Sequence, residues 1–173
     1  MDNYSAGSYA GRGFYRNRVH IGEDAVGPEG GAVRAVADGQ IVHYGAASGY
    51  GELVVVIEHN LGSPRRMTLT VGHAKTVETR YVCTIYGHLR KSARRGGPAL
   101  SWRVGQNVRR GDVIGYINDD AHNGDGREHL HMGCRLSART SGWGYYGYEG
   151  RSYPLSNVRY FGAYSEVARL LGW

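Results

Sequence analysis

The chain has no long hydrophobic run. The longest, Leu53 to Ile57, falls far short of the roughly 20 apolar residues that a helix needs to cross a bilayer, so no membrane span is expected. Its first residues, Met1 to Gly11, show no basic segment followed by an apolar one, so no secretory signal is visible. That leaves a protein exported by another route, or a trimmed chain. Proline is scarce, with 4 residues, and the 28 glycines follow no Gly-X-Y period, which excludes collagen. The two cysteines are not in C-x-x-C spacing. There is no G-x-S-x-G and no G-x-x-x-x-G-K, so serine-hydrolase and P-loop chemistries have no support.

What is present is a globular composition. In 173 residues, 41% are hydrophobic, enough for one domain with a core. Dense glycine between short Val, Ile, Tyr and Thr runs points to strands joined by tight turns. The net charge of +6 favours anionic partners, among them nucleic acid, anionic lipid and bacterial wall polymers. A solvated basic surface accounts for the same charge, and no nucleic-acid recognition motif accompanies it.

Residues 1–16 read as an irregular arm and 17–173 as a single domain. Ala32 to Ala37 and Gln40 to Tyr44 read as strands joined at the tight-turn dipeptide Asp38-Gly39. Glu52 to His59 is apolar almost throughout and reads as a central strand. Asn60 to Lys75 reads as a hairpin excursion, and Thr79 to Leu89 as the next strand. Lys91 to Ser101 is a basic loop. Trp102 to Ile117 reads as strand, turn, strand. Asn118 to Arg127 is a polar loop whose oxygens fail the alternate spacing of a calcium loop. Ser165 to Leu171 reads as a short helix with Ser165 as its N-cap.

The chemistry gathers around Glu128 to Arg135, E-H-L-H-M-G-C-R. On a strand, His129 and His131 share one face, while Leu130, Met132, Cys134 and Leu136 share the other. An isolated H-x-H is most simply a solvent-facing pair. Here His20-Ile-Gly-Glu-Asp24 adds a histidine and a carboxylate flanking a glycine bend. With one histidine of H-x-H they make two imidazoles and a carboxylate, the ligand count of a catalytic zinc with an open fourth position. His88 and the remaining histidine are left for proton transfer. His43, His59, His73 and His122 match no ligand position. Glu23, next to Asp24 but pointing away, reads as a surface carboxylate.

Taken in order, H-x-G-x-D, the Val33 to Gly39 turn, Tyr86-Gly87-His88-Leu89, V-G-Q-x-V-x-x-G-D-V-I-G (Val104 to Gly115) and H-L-H resemble the lysostaphin-like (beta-lytic type) peptidoglycan zinc metalloendopeptidases over roughly residues 18 to 136. The resemblance implies an all-β, single-domain fold, a largely antiparallel sheet or sandwich with an open substrate groove and at most one short C-terminal helix. It implies one zinc ion held by His20, Asp24 and His131, with His88 and His129 as the catalytic pair. The implied activity is hydrolysis of peptide cross-links or stem peptides of bacterial peptidoglycan by a metal-activated water, in an extracytoplasmic or secreted monomer that binds no nucleic acid. The alternative is a catalytically silent wall-binding or regulatory module on the same fold. Such modules lack one or more of the five residues, and all five are present here. Two departures bear on substrate preference: Arg127-Glu128 where the family often has Gly-Pro, and a long Asn60 to Arg80 segment that could add a hairpin at one groove wall.

The two cysteines carry one further expectation. If the strand bearing His88 pairs antiparallel with that bearing His129, with those histidines opposite each other, Cys83 and Cys134 also fall opposite each other. They would then form a cross-strand disulfide or, as the lack of a secretory signal favours, two buried thiols.

Overall fold

The computed structural model describes residues 18–47, 49–71, 74–123, 127–137, 153–154 and 161–173. The expected arm, His73 and most of the aromatic tail lie outside them. The strands are β1 (Arg18–Val19), β2 (Gly22–Val26), β3 (Ala32–Arg34), β4 (Gly39–Gly45), β5 (Leu53–Leu69), β6 (Lys75–Arg90), β7 (Asn107–Val108), β8 (Val113–Ile117), β9 (His129–Arg135), β10 (Tyr153–Pro154) and β11 (Phe161–Ala163), followed by helix α1 (Tyr164–Leu171). Nine strands form one sheet in the order β11-β9-β6-β5-β4-β7, with β2 also on β9 and β8 joining β3 to β6; β1 and β10 pair separately. Every pairing is antiparallel. The fold is thus the expected antiparallel all-β domain with a short C-terminal helix.

β5 and β6 run through the middle because their sequence suits burial on both faces. Leu53 to Ile57 are all fully buried. Alternate residues feed two apolar clusters. Leu53, Val55 and Ile57 join Tyr86, Leu89, Leu130, Met132, Cys134 and Val167 on one face. Val54 and Val56 join Ile21, Tyr50, Cys83, Ile85 and Phe161 on the other.

Several local expectations change. Asp38-Gly39 makes no hairpin: β3 pairs with β8, and β4 with β5 and β7. Gly39 instead lets the chain pass close to β5, where an added Cβ would lie 2.6 Å from the Glu58 carbonyl oxygen. The Trp102 to Ile117 segment likewise yields two strands that pair elsewhere, β7 with β4 and β8 with β3 and β6. The Asn60 to Arg80 excursion is a hairpin, since β5 and β6 stay paired out to Leu69 and Lys75 across an irregularity between Asn60 and Arg65. Met67 and Leu69 tuck into the first cluster with Val167, on the face away from the H-x-H imidazoles.

α1 starts one residue early, with Ala163 as N-cap and no side-chain cap bond. Ser165 is not that cap. Its N–H and hydroxyl instead donate to the Glu23 carboxylate at 2.6 and 2.7 Å. Glu23 is therefore no surface residue; it is fully buried. A carboxylate from β2 meets orphan donors at the positive end of the helix, which compensates its burial. Glu166 in turn accepts from the Thr70 and Val71 N–H groups and the Thr70 hydroxyl, binding the excursion to the helix.

His59 is packed rather than exposed, with a fractional exposure of 2%. Nδ1 donates to the Asp38 carbonyl at 2.8 Å, Nε2 meets the Thr84 hydroxyl at 2.8 Å, and Trp173 covers the ring. Both nitrogens are satisfied in the neutral form, and burial pushes the pKa from 6.5 to about 4. The unfolded chain binds this proton at higher pH than the folded one. Stability is therefore fully present above about pH 6.5 and drains away as pH falls toward 4, by up to roughly 3 kcal/mol from this one group. Guanidinium melts at pH 7 and pH 4.5 on protein with and without His59→Gln test this. The wild type should lose more stability than the variant; equal losses would exclude His59 as a source.

Candidate metal centre and its surroundings

β2 lies along the edge of β9 with Asp24 directly opposite His131, Gly22 opposite Gly133 and Val26 opposite His129. The register puts the carboxylate against the second histidine of H-x-H rather than the first. His20, just before β2, completes the cluster. Its Nε2 lies 3.2 Å from Asp24 Oδ1 and 2.9 Å from His131 Nδ1, and the latter lies 3.3 Å from Asp24 Oδ1. Among the described residues, this is the one group of three or more His, Cys, Asp and Glu side chains close enough to share an ion.

The donor set fits zinc. Zinc–nitrogen and zinc–oxygen bonds of about 2.0–2.1 Å in a tetrahedron require ligand atoms roughly 3.3 Å apart, close to the edges of this triangle. Without a proton or a cation between them, three such acceptors repel. His131 is 1% exposed, and burial pushes its pKa down to about 4, so at pH 7 it is neutral, the form able to bind a metal. Burial opposes ionisation of Asp24, but hydrogen bonds from His131 and His20 outweigh it and hold the carboxyl well below its ordinary range. Asp24 and His20 keep about a third and a fifth of their side-chain surface, so the triangle is open on one side.

Close approach explains Gly22. It sits within β2 rather than in a bend. An added Cβ would lie 2.5 Å from His131 Cε1 and 3.0 Å from the Met132 carbonyl oxygen. Gly87, opposite His131 on β6, has the same reason: Tyr50 Cε1 would lie 2.5 Å from its Cβ. Tyr50 was not singled out by the sequence. Its fully buried ring stands 5.1 Å from that of His131 and 5.6 Å from that of His88. The cue was S-G-Y-G, an aromatic between glycines ahead of the central strand.

His88 reaches the cluster through a defect in the sheet. Leu53 pairs with Leu89 but Val55 pairs with Tyr86, so β6 holds one extra residue there, a β-bulge at Gly87-His88. His88 has φ of 62°, a value uncommon outside glycine. Regular alternation would put it on the core face with Tyr86. The bulge turns it to the other face, with its ring 4.3 Å from that of His129. His88 Nδ1 donates to the Asn123 carbonyl at 2.6 Å and His129 Nδ1 to the Arg127 carbonyl at 2.7 Å. Each carbonyl fixes the proton on Nδ1 and assigns proton exchange to Nε2. His129 Nε2 is 3.7 Å from Asp24 Oδ1. All five residues singled out by the sequence are thus brought together. His43 and His122 lie elsewhere, one half-buried on β4 near the Gly45 carbonyl, the other exposed and paired with Asp119.

The cysteines correct the expected register. Cys83 lies opposite Arg135 and Cys134 opposite Thr84, one residue from the predicted alignment. One step flips a side chain to the other face, so Cys83 is in one core cluster and Cys134 in the other. Both are buried free thiols.

Residues 18–141 match Peptidase family M23. The chain is 31% identical over 122 residues to the DD-carboxypeptidase/endopeptidase Mpg of Neisseria meningitidis, covering 70% of this chain and 21% of that protein. It therefore spans about a fifth of the length of the curated relatives it matches. Among solved structures, the catalytic domain of the antimicrobial peptidase lysostaphin from Staphylococcus simulans aligns over 92% of this chain and 90% of that one, with TM-score 0.53 and 19% identity. Helicobacter pylori Csd3 aligns over 79% of this chain and 28% of that one, with TM-score 0.50 and 23% identity. The sheet order, the site geometry and the match over most of its length lead to one statement of kinship: the chain belongs to peptidase family M23.

Proposed function

We propose that this chain is a zinc-dependent endopeptidase that hydrolyses peptide cross-links or stem peptides of bacterial peptidoglycan. The observation that carries the proposal is the triangle of His20 Nε2, Asp24 Oδ1 and His131 Nδ1 beside two imidazoles with fixed Nδ1 protons. His20, Asp24 and His131 would hold one zinc ion. When bound, the ion supplies a Lewis acid for the scissile carbonyl and acidifies a water beside it. His129 Nε2 accepts and returns a proton at the open side of the triangle. His88 Nε2, next to it, carries no proton in this tautomer; once it has taken one up it donates, as imidazolium, to the oxyanion or to the leaving amine. The Asn123 and Arg127 carbonyls keep both rings in the tautomer that this work needs. The net charge of +6 suits an anionic wall and an extracytoplasmic site of action, with the chain acting as a monomer.

The test is mass spectrometry of soluble products from purified peptidoglycan, one wall with glycine bridges and one with direct cross-links. Each digest is run with chelator and again after zinc is restored. Zinc-dependent peptide fragments are expected, and their termini name the bond cut. No release from either wall by protein that contains zinc would sink the proposal.

A further inference from the structure

The chain after β8 meets the site at Asn123, which is fully buried. Its backbone carbonyl takes the Nδ1 proton of His88 at 2.6 Å. Its side-chain amide donates to the Arg127 carbonyl, the same oxygen that takes the Nδ1 proton of His129 at 2.7 Å. The two imidazoles, with ring centres 4.3 Å apart, are thus tied behind their working edges through one asparagine. A buried asparagine that merely closes a turn needs any carbonyl within reach. This one takes the carbonyl that fixes the proton of a second candidate catalytic ring.

The His88 side of this tie is braced. The Asn123 N–H donates to the Asp119 carbonyl at 3.0 Å. Asn118 donates its N–H to the His88 carbonyl at 3.0 Å and its side-chain amide to the His122 carbonyl at 3.2 Å. The His88 N–H donates to the Tyr50 carbonyl at 3.2 Å. There is no slack behind the Asn123 carbonyl: Gly51 has φ of 76°, and a Cβ on it would lie 2.8 Å from that oxygen. The His129 side is looser. Arg127 is exposed, and Arg127-Glu128 holds no proline to fix the direction of the chain entering β9. The Asn123 amide ties its carbonyl to the braced side.

We propose that Asn123 is the positioning residue for both candidate catalytic histidines and that it couples them: whatever displaces Asn123 displaces the Nδ1 acceptors of His88 and His129 together. The proposal rests on the endopeptidase reading and deepens it. Two imidazoles that exchange protons at Nε2 need both Nδ1 protons to stay in place. One residue that holds both also keeps the two Nε2 atoms in a fixed relation to each other, which a two-group proton transfer requires.

Long-range proton–nitrogen NMR of the zinc-loaded protein, without substrate, reads the tautomer of each ring. In the wild type both His88 and His129 should carry the proton on Nδ1. In Asn123→Ala both should lose that single tautomer while zinc content stays at the wild-type level. On purified cross-linked stem-peptide dimers kcat should fall by about 10- to 100-fold, with KM within about twofold. Gly51→Ala presses on the same carbonyl from the other side and should disturb both rings too, which keeps the proposal open to test if Asn123→Ala does not fold. His122→Ala removes an exposed side chain from the same segment and should leave both rings and kcat unchanged. A role confined to closing the turn predicts a lower melting temperature in Asn123→Ala with both tautomers intact, and that result overturns the proposal. So does a change at one ring alone, or a change in His122→Ala equal to that in Asn123→Ala. If the wild type cleaves no dimer and neither wall, the endopeptidase reading fails, and the tautomers, read without substrate, still decide the coupling.

Discussion

Replacing His131 with alanine is expected to remove both zinc and activity, whereas His129→Ala and His88→Ala should lose activity and keep the metal. The three histidines are neighbours, so the contrast tests roles and not mere proximity. His131 Nδ1 is one corner of the His20–Asp24–His131 triangle, and His131 lies directly across from Asp24. Even groups that only orient metal ligands contribute about 10- to 100-fold to affinity, so loss of a direct ligand from a set of three should exceed that. His129 stands beside the triangle, with Nε2 3.7 Å from Asp24 Oδ1. His88 is farther still, its ring 6.1 Å from that of His131. General acid–base groups contribute typically about 10²- to 10⁴-fold, which is the loss expected for each. Zinc content after dialysis against buffered metal, read beside the wall-digestion rate, separates the two classes. Zinc lost from His129→Ala but kept by His131→Ala would invert the assignment within H-x-H.

Why these residues were legible in the sequence, and others were not, follows from what a strand period can carry. H-L-H-M-G-C-R-L announces its two faces, and the structure keeps them: the imidazoles on one side, Leu130, Met132, Cys134 and Leu136 in the core on the other. Leu53 to Ile57 announces a strand buried on both faces, as β5 is. Pairing partners are a different matter. Asp38-Gly39 looks like a hairpin turn, yet β3 and β4 pair with strands distant in sequence, which no local pattern encodes. Glu23 reads as a surface carboxylate because it neighbours Asp24 on an extended segment and points the other way. It is buried because a helix N-terminus more than a hundred residues away in sequence supplies its hydrogen bonds.

The bulge at Gly87-His88 is the instructive case. Perfect alternation from His88 opposite His129 puts the two cysteines face to face; the real register is one residue off and separates them. The histidines meet all the same, because the extra residue swings His88 round. Pairing of the two catalytic candidates was thus readable from the motif set, while the backbone irregularity that achieves it was not.

Gly22→Ala is the second large effect expected, and it is a loss of metal rather than of fold. The backbone poses no obstacle: Gly22 lies in β2 with no positive φ, where alanine would ordinarily gain about 0.5–1 kcal/mol from lower chain entropy. The obstacle is His131, whose Cε1 would stand 2.5 Å from the new Cβ, a separation that real contacts do not show. The ring has nowhere to retreat. It is 1% exposed, with Tyr50 on one flank and Asp24 and His20 at its coordinating edge. It must rotate off its rotamer or push β2 away from β9, at a cost of about 1–3 kcal/mol, and either movement opens the ligand triangle. Zinc affinity should fall by roughly 10- to 100-fold, and raised free zinc should restore much of the activity, as it cannot for His131→Ala. A competition titration against a zinc chelator, run beside a thermal melt, reads both quantities. Unchanged zinc affinity in Gly22→Ala would mean that His131 does not depend on this gap, and the glycine of H-x-G-x-D would then need another explanation than room for the ligand.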